Sequence, residues 1–330
     1  MNAAAPVLIV GATGQLGTAV LLRLVASGHS VRAFVRPTSP RLAVDASGAE
    51  LAFGDLRDAG SLEAACRGIE TVVATANAVV PRGPASFEET EEHGYHNLIE
   101  ACRAAGVRRV ILMSVPLTPH DSGVETFRIK RRIEGELQRS GIPFTIFRGS
   151  LFMDDWFALM GSSIPLRGAE AHTLRRPFWF SKAFLGMVGH AIERRGLALV
   201  PGSGRARHAF ITLDDVAAFL AGTVDRSETE STIHEIGGPE VLSWDEVVGV
   251  YAKVLGRPVR ALHTPAGFYR AVALMLDPFS PAAANLMAMS GLCAVTDTPY
   301  ATEELARRFG ITLTSAEQFL SRKLALPDAD

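Results

Sequence analysis

Four apolar residues, Val7, Leu8, Ile9 and Val10, run without a polar break and stop at a glycine turn, Gly11-Ala12-Thr13-Gly14-Gln15-Leu16-Gly17. A short run rich in β-branched residues predicts a strand buried on both faces, as in a parallel sheet. Behind it, apolar positions at helical spacing predict a helix over residues 15–26, followed by a second strand over 30–35. The alternation continues, with strands at 50–53, 71–76, 109–113 and 144–147 and helices near 62–67, 87–105 and 125–140. Strands separated by helices imply right-handed βαβ units and a sheet covered on both faces. The expected fold is therefore α/β, a Rossmann doubly wound parallel sheet with a smaller, mainly helical substrate lobe.

The regular pattern ends near Arg148. Residues 150–207 are richer in aromatics, including Phe152, Trp156, Phe157, Phe178, Trp179, Phe180 and Phe184. Ala209-Phe210-Ile211-Thr212 reads as a short strand. Thr212 and Asp215 stand at capping-box spacing before a helix, and so do Ser243 and Glu246. A further short strand fits residues 233–236. These features predict a dinucleotide lobe over residues 1–149 and a substrate lobe with C-terminal helices over 150–330, with residues 209–236 packing back on the first lobe. The apolar stretch 266–295 is broken by Arg270, Asp277, Pro278, Pro281 and Asn285, and reads as one or two interrupted helices.

Composition narrows the classes. Lysine and arginine (33) nearly balance aspartate and glutamate (35), which removes the electrostatic argument for a nucleic-acid partner. Hydrophobic residues make up 48% of the chain, yet no uninterrupted run is long enough to span a bilayer. The start of the chain has no basic flank and apolar core of a secretory signal. Cys66, Cys102 and Cys293 are too far apart for a disulfide framework, and no metal-ligand spacing occurs. The chain reads as a reduced, soluble cytoplasmic protein. Its oligomeric state stays open.

The glycine turn carries the chemistry. Gly11 permits the turn out of the strand, Gly14 lets the backbone approach a diphosphate, and Gly17 lets the helix pack on the sheet. The backbone at Thr13, Gln15 and Leu16 then aims the helix terminus at the phosphates. At the end of the second strand, a carboxylate would favour NAD. The chain places Arg36 there and has no acid before Asp45, which favours the extra phosphate of NADP(H). A solvated surface arginine is the competing reading. Asp55 and Leu56 follow the third strand, where they would meet the adenine edge, although Asp55 or Asp58 serves equally well as a helix cap. Thr75, Ala76 and Asn77 end the fourth strand and border the cofactor cleft, unless Asn77 merely caps a turn.

With GATGQLG at 11–17 go Arg36, Gly54-Asp55-Leu56, Gly106-Val107 before residues 109–114, Lys130-Arg131-Arg132-Ile133-Glu134, residues 140–148, and Phe210-Ile211-Thr212-Leu213-Asp214-Asp215-Val216-Ala217. In these residues the chain resembles the atypical short-chain dehydrogenase/reductases of the NmrA-like and isoflavone-reductase-like kind, over roughly residues 7–225. The resemblance implies NADP(H) binding and a helical lobe over a substrate cleft, in a family that holds both reductases and cofactor sensors without turnover.

Related short-chain reductases use a Tyr-x-x-x-Lys helix and a serine on the preceding strand, the tyrosine moving the proton and the lysine lowering its pKa. Ser114 and Lys130 stand in those places, but the tyrosine position holds Thr126. Lys130 is thus the leading catalytic candidate: it either holds the nicotinamide ribose, donates a proton, or simply pairs with Glu134 one turn on. Ser114 binds substrate or satisfies strand backbone. His120 is a weaker proton source, and His172 and His208 weaker still. Phe152, Met153, Trp156 and Phe157 have helical spacing and follow the sixth strand, so they line an apolar pocket or form core. Met275, Met287 and Met289 offer an adaptable cover, with core packing the competing reading.

The reading reached is an NADPH-dependent oxidoreductase acting on a small, mostly apolar ketone, enone or quinone. A non-enzymatic NADP(H) sensor or scaffold is the alternative. A sugar-nucleotide epimerase or dehydratase loses support without the tyrosine.

Overall fold

The computed structural model describes residues 6–77, 87–168, 172–175 and 178–327. The first five residues, on which the reading of the chain's start rests, lie outside them. Among the described residues, a seven-stranded sheet has the order β3-β2-β1-β4-β5-β6-β9. Its strands are β1 (Val7–Val10), β2 (Val31–Val35), β3 (Glu50–Phe53), β4 (Thr71–Ala74), β5 (Arg109–Ser114), β6 (Phe144–Gly149) and β9 (Thr232–Ile236). The pairs from β3 through β6 are parallel. Order reverses beside β1, so the carboxyl ends of β1 and β4 form the switch point where ligands of such sheets bind. β1, β4 and β5 are buried at every residue, which is why they read as continuous apolar runs.

Helices α1 (Gln15–Ala26), α2 (Leu42–Ala46), α3 (Ala59–Cys66), α4 (His93–Ala105) and α5 (Glu125–Arg139) connect these strands. Asp58, not Asp55, caps α3, its side chain accepting from the Gly60 amide. The expected helix at 87–105 is divided. Glu88–Glu92 forms a π turn, with the His93 amide bonded to the Glu88 carbonyl five residues back, before α4 begins.

The chain divides into two compact units, and the division is not contiguous. The first comprises Met1–Val115, Glu125–Arg148 and Val216–His234. Its return segment is sewn to the sheet by Arg109, a buried arginine at the start of β5. The guanidinium donates to the carbonyls of Thr223 (3.0 Å) and Arg226 (2.7 Å) and to the hydroxyls of Thr145 (2.5 Å) and Thr229.

The second unit comprises Pro116–Val124, Gly149–Asp215 and Glu235–Asp330. It contains α6 (Met153–Leu159), α7 (Trp179–Val188), α8 (Ala191–Arg195), β7 (Leu197–Pro201), β8 (Arg207–His208) and the start of α9 (Leu213–Thr223). After β9 come β10 (Leu242–Ser243), α10 (Trp244–Leu255), β11 (Arg260–Thr264), α11 (Ala266–Leu276), α12 (Pro281–Cys293), α13 (Glu303–Phe309) and α14 (Ala316–Leu324). The strand expected at 209–212 is a single bridge, Phe152 to Ile211. The Ser243–Glu246 capping box is complete. The Thr212–Asp215 box is half formed: Thr212 accepts from the Asp215 amide, but the Asp215 carboxylate turns to the amide and hydroxyl of Thr314. The stretch at 266–295 is the two helices α11 and α12. No helix of the described residues is long and apolar enough to cross a membrane.

Candidate active site

Gly11 leaves β1 with φ +94°, a conformation that side chains with a Cβ rarely adopt, and its carbonyl accepts from the Gly14 amide at 2.9 Å. A Cβ at Gly11 would lie 2.6 Å from the Ala76 nitrogen, and one at Gly17 would lie 2.1 Å from the Gly11 carbonyl oxygen. The turn, α1 and the end of β4 are therefore in backbone contact. Thr75 locks the same corner, its amide and hydroxyl both reaching the Val10 carbonyl (2.9 and 3.2 Å). Gly14 caps α1 with extended backbone, no side chain caps the helix, and its first turn holds no acid. The opening amides of α1 thus keep their donors and their positive end for an anion, and a diphosphate suits that terminus.

Arg36 follows β2, half-buried, and its charge helps hold Asp55 low. The Asp55 carboxyl lies below its ordinary range chiefly through the hydrogen bond from the Arg57 side chain. Burial opposes this, and the Arg57 amide and both arginine charges add to it. Arg57 grips both carboxylate oxygens at 2.9 and 3.0 Å. Leu56 packs on Gly94, and its carbonyl accepts from Asn97 at 3.2 Å. Asn77 is exposed just beyond Ala76.

The candidate catalytic residues stand in two buried polar clusters. Lys130 does not pair with Glu134. Its ammonium lies 2.5 Å from Glu91, 3.4 Å from the Ala76 carbonyl and 4.7 Å from the centre of the Tyr95 ring. Lys130 and Glu91 are each 1% exposed. Burial alone would pull the lysine pKa down. The Glu91 charge, with Tyr95, a hydrogen bond to Glu91 and Glu134, outweighs burial and holds it above the ordinary value. Tyr95 donates to the same Ala76 carbonyl at 2.7 Å, and burial is the main cause that pushes its hydroxyl up to about 12.

In the second cluster Ser114 donates to Glu134 at 2.5 Å. Arg148 reaches the same carboxylate at 2.6 Å, and Arg131 bonds it as well. Ser114 and Arg148 are register partners on β5 and β6, which brings both to one face. Burial raises the Glu134 pKa, but the bonds from Arg148 and Ser114 and the two arginine charges hold it below its ordinary value. Thr126, in the place of the expected tyrosine, is wholly buried.

The second unit accounts for the aromatic stripe and two histidines. Met153 and Phe157 lie in its core, where Phe157 meets Phe210, Tyr251 and Phe319 at ring-centre distances of 5.2, 6.1 and 6.2 Å. Phe152 and Trp156 are half-buried. His208 donates from Nε2 to the Cys293 carbonyl (3.0 Å) and accepts at Nδ1 from Thr298 (2.9 Å). His172 donates to the Asp154 carbonyl (3.1 Å) and accepts from the Leu174 amide (3.1 Å). Burial brings each pKa down to about 4 against the hydrogen bonds to the carbonyls, which favour the charged form, and so keeps both rings neutral. His120 is exposed. The described residues contain no group of three or more potential metal ligands.

Glu91, Tyr95, Arg131 and Arg148 are the members of these clusters that pattern reading missed. One signal was present. Residues 91, 95, 98 and 102 share one helical face, and an acid among Tyr95, Leu98 and Cys102 is an acid in a core stripe.

The NmrA-like family model matches residues 4–311. An NAD(P)H azoreductase of Xenophilus azovorans is 26% identical over 254 residues, 77% of this chain and 75% of that protein. Two solved structures share the fold. One is an NADPH-dependent quinone oxidoreductase of Escherichia coli complexed with NADPH, with TM-score 0.71, 20% identity, and 96% of this chain and 99% of that one covered. The other is the Citrobacter sp. triphenylmethane reductase complexed with NADP(H), with TM-score 0.73, 17% identity, and 97% and 100% covered.

Proposed function

The chain belongs to the NmrA-like family, and on that premise we propose that it is an NADPH-dependent oxidoreductase that reduces a small, mostly apolar ketone, enone or quinone. The observation that carries this reading is the open amide terminus of α1, seated against the Gly11 turn and the end of β4. Residues 11–17 hold the diphosphate by backbone amides and helix dipole. Arg36 takes the 2′-phosphate, Asp55 and Leu56 border the adenine, and Thr75, Ala76 and Asn77 border the nicotinamide end. When bound, the nicotinamide supplies a hydride; the protein supplies orientation and charge.

Lys130 is the cation of this site. Ser114 commits its proton to Glu134 and so serves through its oxygen lone pairs or through the cluster it holds. Phe152 is the member of the aromatic stripe assigned to the acceptor, since Met153 and Phe157 are spent on core and Trp156 packs against it. Names of relatives support the class of reaction: the azoreductase and the quinone oxidoreductase are both nicotinamide-dependent reductases.

Thr126 favours a second reading, a protein that senses NADP(H) without turnover, since it leaves no acidic hydroxyl in the usual place. Titration of the purified chain with NADPH by fluorescence, followed by NADPH oxidation assays against quinones, enones and ketones, separates the two. Saturable binding with acceptor-dependent oxidation is expected. Binding with no oxidation by any acceptor class assigns the chain to the sensors, and no binding removes both readings.

A further inference from the structure

We propose that Glu91 is a positioning residue that keeps Lys130 a fixed cation, so that Lys130 acts on its ligands by charge and hydrogen bonding and not as the proton donor. The proposal rests on the reading that NADPH binds at the Gly11 turn and Lys130 faces it.

The pair is badly placed for stability. Taking two charges out of water costs about as much as their attraction returns, and apolar residues of similar size usually serve a core at least as well. Glu91 is the buried residue of the π turn that precedes α4, one turn before the buried Tyr95, Leu98 and Cys102, and an apolar residue would pack there without an ion. Backbone geometry supports a dedicated role. Glu91 is carried on the π turn Glu88–Glu92, and such turns are rare and concentrate at functional sites.

The groups facing Lys130 assign the counter-ion. From the π turn comes Glu91 at 2.5 Å. From α4 comes the Tyr95 ring, and from the end of β4 the Ala76 carbonyl at 3.4 Å. On the lysine's own helix Glu134 adds a weaker attraction, its oxygens being taken by Ser114, Arg131 and Arg148. Glu91 is therefore the carboxylate that compensates the ammonium. If Lys130 gave up its proton, Glu91 would be left as a buried anion without its cation, the costly half of a broken pair. The Tyr95 hydroxyl, committed to Ala76, is no substitute donor. Reduction of the acceptor then consumes one hydride from the cofactor and one proton from solvent water, which leaves as hydroxide.

The test compares wild type with Glu91→Gln, using NADPH itself as the probe. In wild type, NADPH affinity by fluorescence titration is expected to show no Lys130 ionisation from about pH 6 to pH 9, since the pair keeps the lysine charged. In Glu91→Gln, only the weaker attractions of Tyr95 and Glu134 oppose burial, and a new midpoint is expected inside that range, with affinity falling on the order of tenfold above it. Glu91→Gln/Lys130→Met should lose the new midpoint, which assigns it to the lysine. If Glu91→Gln does not fold, Glu91→Asp, which keeps the charge but draws it back, should show a Lys130 midpoint below that of wild type.

With an acceptor that turns over, kcat/KM of Glu91→Gln should follow the same curve and recover on acidification. A uniform loss at every pH, or no change, overturns the proposal and leaves Glu91 as packing. So does a wild-type kcat/KM that falls through a Lys130 ionisation below about pH 9. Failure to bind NADPH at all strikes the underlying reading, whereas binding without turnover leaves the affinity curves to decide the proposal.

Discussion

Ser114 and Glu134 are joined by a 2.5 Å hydrogen bond inside the protein, with the serine as donor. The strand-end hydroxyl, which the sequence offered as a substrate ligand or a backbone partner, is here directed at a carboxylate. That carboxylate also gathers Arg131 and Arg148. Ser114 is thus part of a charge cluster that ties β5 and β6 to α5.

Glu134→Gln should therefore be strongly destabilising. It removes the shared counter-ion of two largely buried guanidiniums, a change worth about 3–5 kcal/mol for a buried pair and less here because both arginines keep some solvent. Because the folded pKa of Glu134 lies below its unfolded value, this stability is present above the unfolded pKa and is lost as pH falls through the folded one. Urea unfolding at neutral pH should show a drop in midpoint, and the difference between wild type and variant should shrink in acid. An unchanged midpoint at neutral pH would remove the cluster from the account of stability.

Gly17→Ala should damage the cofactor terminus from within. Its Cβ would lie 2.1 Å from the Gly11 carbonyl oxygen, a backbone atom, so α1 must move off the turn. Overpacking of this kind costs about 1–3 kcal/mol or more. NADPH affinity should fall by about tenfold or more for the same reason, since the displaced amides are the ones proposed to hold the diphosphate. Thermal melts and fluorescence titration measure the two effects, and wild-type affinity in the variant would contradict the assignment of the helix terminus.

Arg36→Ala tests cofactor choice. Loss of a charge-assisted hydrogen bond to the 2′-phosphate, about 1.5–3 kcal/mol, should raise the NADP(H) dissociation constant roughly ten- to a hundredfold and leave NAD(H) little changed. Equal losses for both cofactors would sink the assignment.

The two neutral histidines predict an acid limb in stability. His172 and His208 have folded pKa values near 4 against an ordinary 6.5, so the unfolded chain takes up their protons first as pH falls. Stability is held above pH 6.5 and lost progressively toward pH 4. Asp154, raised to about 6 by burial, works in the opposite direction, its folded carboxyl taking a proton first and recovering part of the loss. The net effect is about one histidine's worth, roughly 2–3 kcal/mol between about pH 6.5 and pH 4.5. His208→Asn should flatten this slope in urea unfolding series, and a slope as steep as that of wild type would contradict the assignment.

The first six strands and four of the five helices between them were legible because each signal is local; the five-residue helix α2 (Leu42–Ala46) is too short to show a period and was not read. A buried parallel strand must be apolar on both faces, and the chain reports this in consecutive residues such as Val7–Val10. Gly11 and Gly17 were legible for a similar reason: a positive φ and a helix pressed on a turn exclude a Cβ, whatever the rest of the fold does. The half-formed box at Thr212 shows the boundary. The spacing was right, but Thr314 competed for Asp215 from a hundred residues away, roughly, in a contact that periodicity does not encode.

Sequence by itself determined the order of the first six strands, the glycine turn that presents an amide terminus, and the absence of a tyrosine four residues before Lys130. Tertiary structure decided which charges meet. By helix spacing alone Lys130 belongs with Glu134, and in water that pair would be as good as another. Inside the protein, sheet register sets Arg148 beside Ser114, and together with Arg131 they saturate Glu134. The π turn meanwhile delivers Glu91 to Lys130. Buried charges demand partners at close range, and which partner is in range depends on the packing of distant segments, which no local pattern records.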